Sequence, residues 1–419
     1  MSATAAVSAA RQDAKILSLV CTGHFVSHFY LMCLPPLFYF LNQDLGISYT
    51  ELGLMVAMRY AATGFAQVPA GFLVDRYGAK LILICGLALM VAGYAAFALG
   101  TSWWVLVACV VIGGIGDSVF HPADYAILNS SVSNERIGRA FSIHTFSGHL
   151  GFSVAPAVIP ILAVMWNWRI ALLIAALFGF IIMIALVSQW SALKDDSIPG
   201  KRKKEEAETA PAAPPANWLE AKFGILASPP VLALFGFFAI STLSSNGITS
   251  FGMSAMLAIH DTPEALSGIP ITAYMLTSAF AVLMGGVIAD KLKWKPDVFA
   301  AVGFLFAAMT ILAIGIMPLP YVILLVLFGV SGFCLGVIRP ARDLMVRDIA
   351  PKGQSGKVFG FVFTGQNVGG GLAPIMYGLI LDHLDPHWVF YVSAMCLALG
   401  IVTVLGTRRM RGESKQAHT

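Results

Sequence analysis

The stretch GGIGDSVFHPADY, Gly113–Tyr125, decides the fold, because it returns in altered form in the second half of the chain. One constant spacing takes Gly114 to Gly332 and Pro122 to Pro340 without a gap. The same spacing pairs Ala123 with Ala341, Gly138 with Gly356, Phe141 with Phe359, Gly151 with Gly369, and Ala155–Pro156 with Ala373–Pro374. A repeat of this length predicts two halves with the same architecture.

The composition is that of a polytopic membrane protein. Of 419 residues, 58% are hydrophobic and 11% are charged, with a mean hydropathy of +0.80, whereas soluble domains average about 25% charged residues. The six cysteines lie in apolar runs without a CxxC pair, which predicts core side chains rather than disulfides or metal ligands. The net charge of +4 indicates no nucleic-acid partner, because the basic residues lie at the ends of apolar segments.

Twelve apolar segments are long enough to cross a bilayer, which takes about 20 residues. The polar N-terminus precedes a run from Ile16 that is too long for a signal peptide, so we expect it to be the first span. The predicted spans are 15–41, 50–74, 79–100, 102–128, 137–163, 168–191, 226–258, 267–289, 297–317, 320–346, 355–381 and 387–407.

One long polar insertion, rich in Pro, Ala and charge, divides the spans six and six. Its composition is typical of a flexible linker. We therefore predict an all-α membrane protein with an N-terminal six-helix bundle (1–191), a cytoplasmic linker (192–222) and a C-terminal six-helix bundle (223–419).

The basic residues fix the orientation of the spans. With both termini in the cytoplasm, most of the 26 Lys and Arg residues fall in cytoplasmic segments, and Arg169 alone faces outside. Arg59, Arg339 and Arg342 fall within spans. This asymmetry predicts cytoplasmic termini by the positive-inside rule.

A loop between spans two and three, GFLVDRYGAK, resembles the cytoplasmic loop motif of the major facilitator superfamily. Gly71, Asp75, Arg76 and Gly78 match the motif, as does Lys80, while Ala79 stands where an Arg is usual. The resemblance covers nearly the whole chain. It implies that Asp75 accepts hydrogen bonds from the start of span eleven, near Ser355, and that this contact breaks during the transport cycle. Gly71 would allow close helix approach.

The resemblance extends to one branch of the superfamily. The segment SVFHP, followed by RIGRAFSIHTFSGHLGFSVAP, resembles the fosmidomycin-resistance branch of drug exporters. Gly148, Gly151 and Pro156 supply the glycine and proline pattern of that branch. The resemblance implies an efflux pump for a small compound, with an anionic one as an option, working in a bacterial inner membrane.

Three residues of the opening stretch are predicted to act together. In a continuous helix, Asp117, His121 and Asp124 would share one face. Asp117 falls near the membrane midplane, where a charge is costly and is a functional candidate by default. We predict that Asp117 and His121 form the protonation site, against the alternative of a buried pair that locks helices together. We expect Asp124 to be structural, with Arg342 as its partner and a role in the conformational switch.

Further polar residues within the spans are predicted to bind substrate. Arg59 lies near the midplane without an acidic neighbour within a turn, so it requires a partner from another helix or an anionic substrate. His24 and His28 are one helical turn apart in span one, and Arg339 is the repeat equivalent of His121. His149 and Asn367 are repeat equivalents that add polar surface. For each, the alternative is helix–helix packing.

These features predict a secondary active transporter, working by alternating access as a proton-coupled exporter. The first alternative is a proton symporter that imports an organic anion, favoured by the intramembrane arginines. The second is a divalent metal transporter, suggested by His24, His28, Asp117 and His121. We find no HExxH motif, phosphate loop or Ser-His-Asp set, so we expect no enzyme and no cofactor. The expected partners are a small solute, protons and lipid, and the expected state is a monomer.

Overall fold

The computed structural model describes residues 3–133, 136–193, 224–292, 295–349 and 355–416. Within these ranges the chain forms helices and turns and no strand. The α-helices are α1 (Ala3–Leu31), α2 (Phe38–Leu45), α3 (Tyr49–Tyr77), α4 (Ala79–Leu99), α5 (Trp103–Asp117), α6 (Phe120–Ser131), α7 (Ile137–Met165), α8 (Trp168–Ser188), α9 (Pro229–Ile259), α10 (Ile269–Leu292), α11 (Pro296–Ile316), α12 (Tyr321–Val337), α13 (Arg339–Ile349), α14 (Ser355–His383) and α15 (Trp388–Gln416). Short 3₁₀ helices cover Pro35–Leu37, Gly224–Ala227 and Glu264–Leu266.

Ten segments of the described chain are long and apolar enough to cross a membrane. All-helical spans are expected there, because a helix satisfies its own backbone hydrogen bonds in lipid. Two further helices, α3 and α14, have 29 residues each but are not among these ten. The prediction of an all-α membrane protein is thus confirmed, whereas twelve spans and cytoplasmic termini stay predictions.

The chain divides into two compact units. The N-terminal unit contains Met1–Ile47 and Met58–Ala210, and the C-terminal unit contains Ser48–Ala57 and Pro211–Thr419. The first turns of α3 are therefore grouped with the C-terminal unit. Most of the predicted linker, residues 194–222, lies outside the described residues, so its boundaries stay a prediction.

The two units repeat one packing pattern. In the N-terminal unit α1 packs on α7, and α4 packs on both α5 and α8. In the C-terminal unit the equivalent helices do the same: α9 packs on α14, and α11 packs on both α12 and α15. Gly151 and Gly369, which are repeat partners, each face a backbone carbonyl of the neighbouring helix, that of Phe25 and that of Ala239, too closely for a Cβ. The shared glycine pattern of the sequence therefore corresponds to a shared close helix contact.

Span four is not one continuous helix. α5 ends at Asp117, a turn follows, and α6 begins at Phe120. Pro122 lies in the first turn of α6, where its missing N–H costs no helical hydrogen bond. The condition for Asp117, His121 and Asp124 to share one face, a continuous helix, is therefore not met: Asp117 ends α5, whereas His121 and Asp124 belong to α6.

Span ten breaks at the equivalent point. α12 ends at Val337 and α13 begins at Arg339, with Pro340 as its second residue. The repeated prolines thus mark a repeated helix break, and the break belongs to the shared architecture of the two units.

Candidate functional site

A buried ion pair joins α3 to the end of α5 in the N-terminal unit. Arg59 Nη2 lies 3.7 Å from Asp117 Oδ2, with the side chains 4% and 11% exposed. Thr63, one turn after Arg59, donates its hydroxyl to the carbonyl of Gly114 at 3.0 Å and lies 3.5 Å from Asp117 Oδ2. A Cβ on Gly114 would stand 2.7 Å from the Arg59 carbonyl oxygen, so the two helices meet this closely because residue 114 is glycine.

The guanidinium of Arg59 retains unused hydrogen-bonding capacity. Its distance to Asp117 exceeds the 2.7–2.9 Å typical of a charge-assisted hydrogen bond, and the buried Nε and Nη2 atoms have no hydrogen-bond partner. Arginine presents its donors as a planar fork that matches carboxylate and phosphate oxygens. The pair can therefore open to an anionic group at Arg59, or to a proton or cationic group at Asp117.

A second polar cluster in the same unit consists of four imidazoles from three helices. His24 and His28 come from α1, His121 from α6 and His144 from α7. The ring centroid of His24 lies 4.3 Å from that of His28, 5.4 Å from that of His121 and 3.8 Å from that of His144. The prediction that His24 and His28 lie side by side is confirmed.

Asp124 lies between two of these rings. Its Oδ2 accepts a hydrogen bond from His144 Nε2 at 2.9 Å and lies 3.2 Å from His24 Nδ1, and all three side chains are at most 2% exposed. Among the described residues, Asp124 forms ion pairs with these histidines and not with Arg342, whose Nε contacts Asp343 Oδ1 at 3.2 Å. The expected pairing of Asp124 with Arg342 is therefore replaced by contacts inside each unit.

His144 is a site residue that the sequence predictions did not include. The structure makes it a direct partner of Asp124. A signal was present: His144, Gly148 and Gly151 recur at spacings of four and three, which places them on one face of α7. That face packs on α1, which carries His24.

Of the other predicted substrate residues, His149 lies at the edge of this cluster, because the ring of Phe152 contacts the rings of both His28 and His149. His149 is partly exposed, and its Nδ1 faces the Thr145 carbonyl one turn back at 2.9 Å. Arg339 and Asn367 belong to the C-terminal unit, at the start of α13 and on an exposed face of α14.

The loop motif has one clear structural role in the described chain. Gly78 has φ of +94° and precedes α4, a conformation that favours glycine. Asp75 and Arg76 are exposed at the end of α3. The contact expected of Asp75 with the start of span eleven, near Ser355, stays a prediction. A Cβ on Gly71 would meet no described atom within 4 Å. Among the described residues, therefore, no helix makes the close approach that was expected at Gly71.

One group of side chains in the described part of the chain has the composition and spacing of a metal site. The candidate ligand atoms of His24, Asp124 and His144 all lie within 4.8 Å of one another, and all three residues are buried. The predicted metal set of His24, His28, Asp117 and His121 is different, because Asp117 is engaged with Arg59.

Comparison with known proteins assigns the family. The model of the Major Facilitator Superfamily matches residues 20–261 and again residues 241–418. The chain belongs to this superfamily. The fosmidomycin resistance protein of Escherichia coli (strain K12) is 24% identical over 415 residues, which cover 96% of this chain and 95% of that protein. The quinolone resistance protein NorA of Staphylococcus aureus (strain MRSA252) is 24% identical over 378 residues, or 89% and 92% of the two chains.

These relatives confirm the resemblance to the drug-exporter branch. A solved structure shares the fold: a bacterial homolog of the human lysosomal transporter Spinster, in an inward-facing and occupied conformation, superimposes with a TM-score of 0.74. It covers 94% of this chain and 97% of its own, at 13% identity. This chain is therefore a multi-pass membrane protein with the fold of known transporters.

Proposed function

We propose that this protein is a secondary active transporter that exports a small drug-like or organic compound in exchange for protons. Membership of the superfamily and the similarity to two resistance proteins support transport and its outward direction. The observation that carries the coupling is the buried Arg59–Asp117 pair, which is long and incompletely hydrogen-bonded. In an exchanger, Asp117 binds either a proton or the substrate, because the two compete for its carboxylate.

The second candidate is symport of an organic anion with a proton. A proton on Asp117 would cancel the carboxylate charge and release Arg59, whose free N–H groups could then hold an anion. The proton on Asp117 and the anion on Arg59 would then bind together. An anionic substrate held by Arg59 in this way therefore predicts symport with protons and not exchange for protons. The charge of the substrate and the direction of coupling are therefore linked at this site.

Binding measurements distinguish the two candidates by sign. A thermal-shift screen of the purified protein, with fosmidomycin and a quinolone as the first probes, identifies a ligand. Its affinity is then measured between about pH 6 and 8. Linkage requires exchange to weaken substrate binding at lower pH and symport to strengthen it. Affinity that does not change with pH contradicts both proposals.

Flux measurements then test the residue. In proteoliposomes with an imposed pH gradient, we expect Asp117→Asn to abolish gradient-driven flux. Exchange of labelled substrate at equal pH should survive this substitution under symport, and it should be lost under proton exchange, where the carboxylate itself binds the substrate. We expect Arg59→Gln to lose anion binding if symport is correct. Asp385→Asn, at an exposed acid in the loop between α14 and α15, is the matched control. Coupling that survives Asp117→Asn would refute the assignment of the proton to this carboxylate.

The remaining predictions belong to this proposal as well. The role of His121 as a proton site stays a prediction. Its ring contacts the rings of His24 and His28. The residues that stay predicted to bind substrate are His24, His28, Arg339, His149 and Asn367. Those that stay predicted parts of the conformational switch are Gly71, Asp75, Arg76, Gly78, Asp124 and Arg342. We further propose an inner-membrane location, cytoplasmic termini and a monomer. Metal as the transported solute is the least supported alternative.

A further inference from the structure

His24, Asp124 and His144 form a group that does not include the Arg59–Asp117 pair, on which the proposed coupling rests. It joins three helices, α1, α6 and α7, and its side chains are 2%, 0% and 1% exposed. Asp117 contacts Arg59 and Thr63 instead, so different substitutions test the two sets of contacts.

The hydrogen bonds inside this group leave several buried atoms unsatisfied. Asp124 Oδ1 and His144 Nδ1 have no hydrogen-bond partner, and His24 Nδ1 approaches Asp124 Oδ2 without the alignment of a hydrogen bond. A buried carboxylate is costly unless it is paired or bound to a metal ion. Among the described residues no Lys or Arg forms an ion pair with Asp124; its two ion-pair partners are imidazoles. A cation bound between these side chains would supply the missing charge.

The geometry points to a specific ligand. We propose that His24, Asp124 and His144 bind one divalent transition-metal ion of the zinc class. Two imidazole nitrogens and a carboxylate oxygen are ligands that zinc accepts, and tetrahedral ligands at 2.0–2.2 Å from the ion stand about 3.3–3.6 Å apart. The nitrogen-to-oxygen distances of 2.9 and 3.2 Å need to lengthen by only a few tenths of an ångström.

The neighbouring histidines complete the site. His121 is exposed, and its ring lies 5.4 Å from that of His24, so it lies between the site and the surface of the unit. Gly148 provides the space: a Cβ there would stand 2.7 Å from both His24 Nε2 and His28 Nδ1. Any larger residue at 148 would push the rings apart.

The test uses full-length protein in detergent with an affinity tag that contains no histidine. Cobalt(II) serves as the spectroscopic probe and zinc as the competing ion. We expect one cobalt per chain, with the visible bands of a tetrahedral nitrogen and oxygen site, displaced by an equal amount of zinc. Zinc should also raise the Tm, because an ion that binds only the folded state stabilises it.

Two ligand variants and one control variant distinguish binding at this site from non-specific binding of metal ions. Asp124→Asn and His144→Gln should weaken zinc binding by at least ~100-fold, since even the loss of an outer partner costs ~10–100-fold. His260→Gln, in the C-terminal unit and with its Nε2 3.0 Å from the Ile314 carbonyl oxygen, should bind zinc like the unmodified protein. If Asp124→Asn does not fold, His24→Gln takes its place.

The outcomes are decisive in both directions. Absence of binding at ~10 µM cobalt or zinc, octahedral spectra, or equal affinity in the ligand variants and the control overturns the proposal and leaves a hydrogen-bonded triad. None of these results affects the proposed transport function, which rests on Arg59 and Asp117.

Discussion

Replacement of Asp117 by asparagine tests the energetic reading of the buried ion pair. At 3.7 Å, two unit charges attract by about 4.5 kcal/mol at an effective dielectric constant of about 20. Both side chains are almost fully buried, so solvent screens them little. The substitution leaves Arg59 charged, buried and unpaired, a change that typically costs ~3–5 kcal/mol. We therefore expect Asp117→Asn to lower the free energy of unfolding by that amount.

The double variant Arg59→Gln/Asp117→Asn gives the decisive comparison. With both charges removed, neither an uncompensated charge nor the desolvation of an ion pair remains. We expect the double variant to be more stable than Asp117→Asn alone, with a coupling energy of about 3 kcal/mol. Equilibrium unfolding in mixed micelles, titrated with SDS and followed by circular dichroism, supplies the four free energies of the cycle.

The reasoning fails if the two single substitutions add. Sites that do not interact are additive within about 0.5 kcal/mol, so additivity at this level would mean that Arg59 and Asp117 do not depend on each other in the folded protein. The exposed Asp385→Asn variant, which we expect to change the free energy of unfolding far less than Asp117→Asn does, shows that the assay does not respond to the loss of any carboxylate.

Three further perturbations follow from local geometry. Gly148→Ala should destabilise the protein by ~1–3 kcal/mol through overpacking against two histidine rings, whereas Gly138→Ala on the same helix, with open space at its Cβ, should stabilise it by up to ~1 kcal/mol; thermal unfolding of the pair checks this. Asp382→Ala should cost ~1–2 kcal/mol, because this carboxylate accepts hydrogen bonds from the first two N–H groups of α3 at 2.9 and 2.7 Å; hydrogen exchange at that helix start should quicken. Hydrogen bonds from the backbone N–H and the ring of His387 lower the pKa of Asp385. This contact therefore stabilises the folded protein at pH values above the ordinary pKa of an aspartate, and its contribution is lost as the pH falls through the lowered pKa. Asp385→Asn should remove this pH dependence from a plot of stability against pH.

The sequence predicted the helical framework well because the signals for it are local or periodic. Apolar runs give spans by length alone, and Pro122 with Pro340 marks the same break in two units. The side-by-side placement of His24 and His28 follows from the helical period. The family assignment likewise rested on a short loop motif and was confirmed by the match to the superfamily.

The side-chain partners could not be predicted in the same way. Arg59 finds its acid on another helix, and Asp124 finds imidazoles on α1 and α7 and not the repeat-related Arg342. Such pairings depend on helix rotation and on the turn between α5 and α6, neither of which an apolar period determines. An intramembrane charge therefore predicts that a partner exists, whereas the fold decides which partner it is.

The duplicated frame explains where the unequal chemistry arises. The helix break is the same in both units, yet the residues around it differ: Asp117 is matched by Leu335, His121 by Arg339 and Asp124 by Arg342. The N-terminal unit thus carries acids and imidazoles where the C-terminal unit carries an apolar residue and two cations. At a helix break, backbone groups lose their partners within the helix and can bond to other polar groups. The break lies at equivalent positions in the two units. Because the frame is shared, we expect the proposed coupling to depend on these unequal positions. Asp117, whose counterpart Leu335 is apolar, adds an acid at a position where the other unit has no polar group.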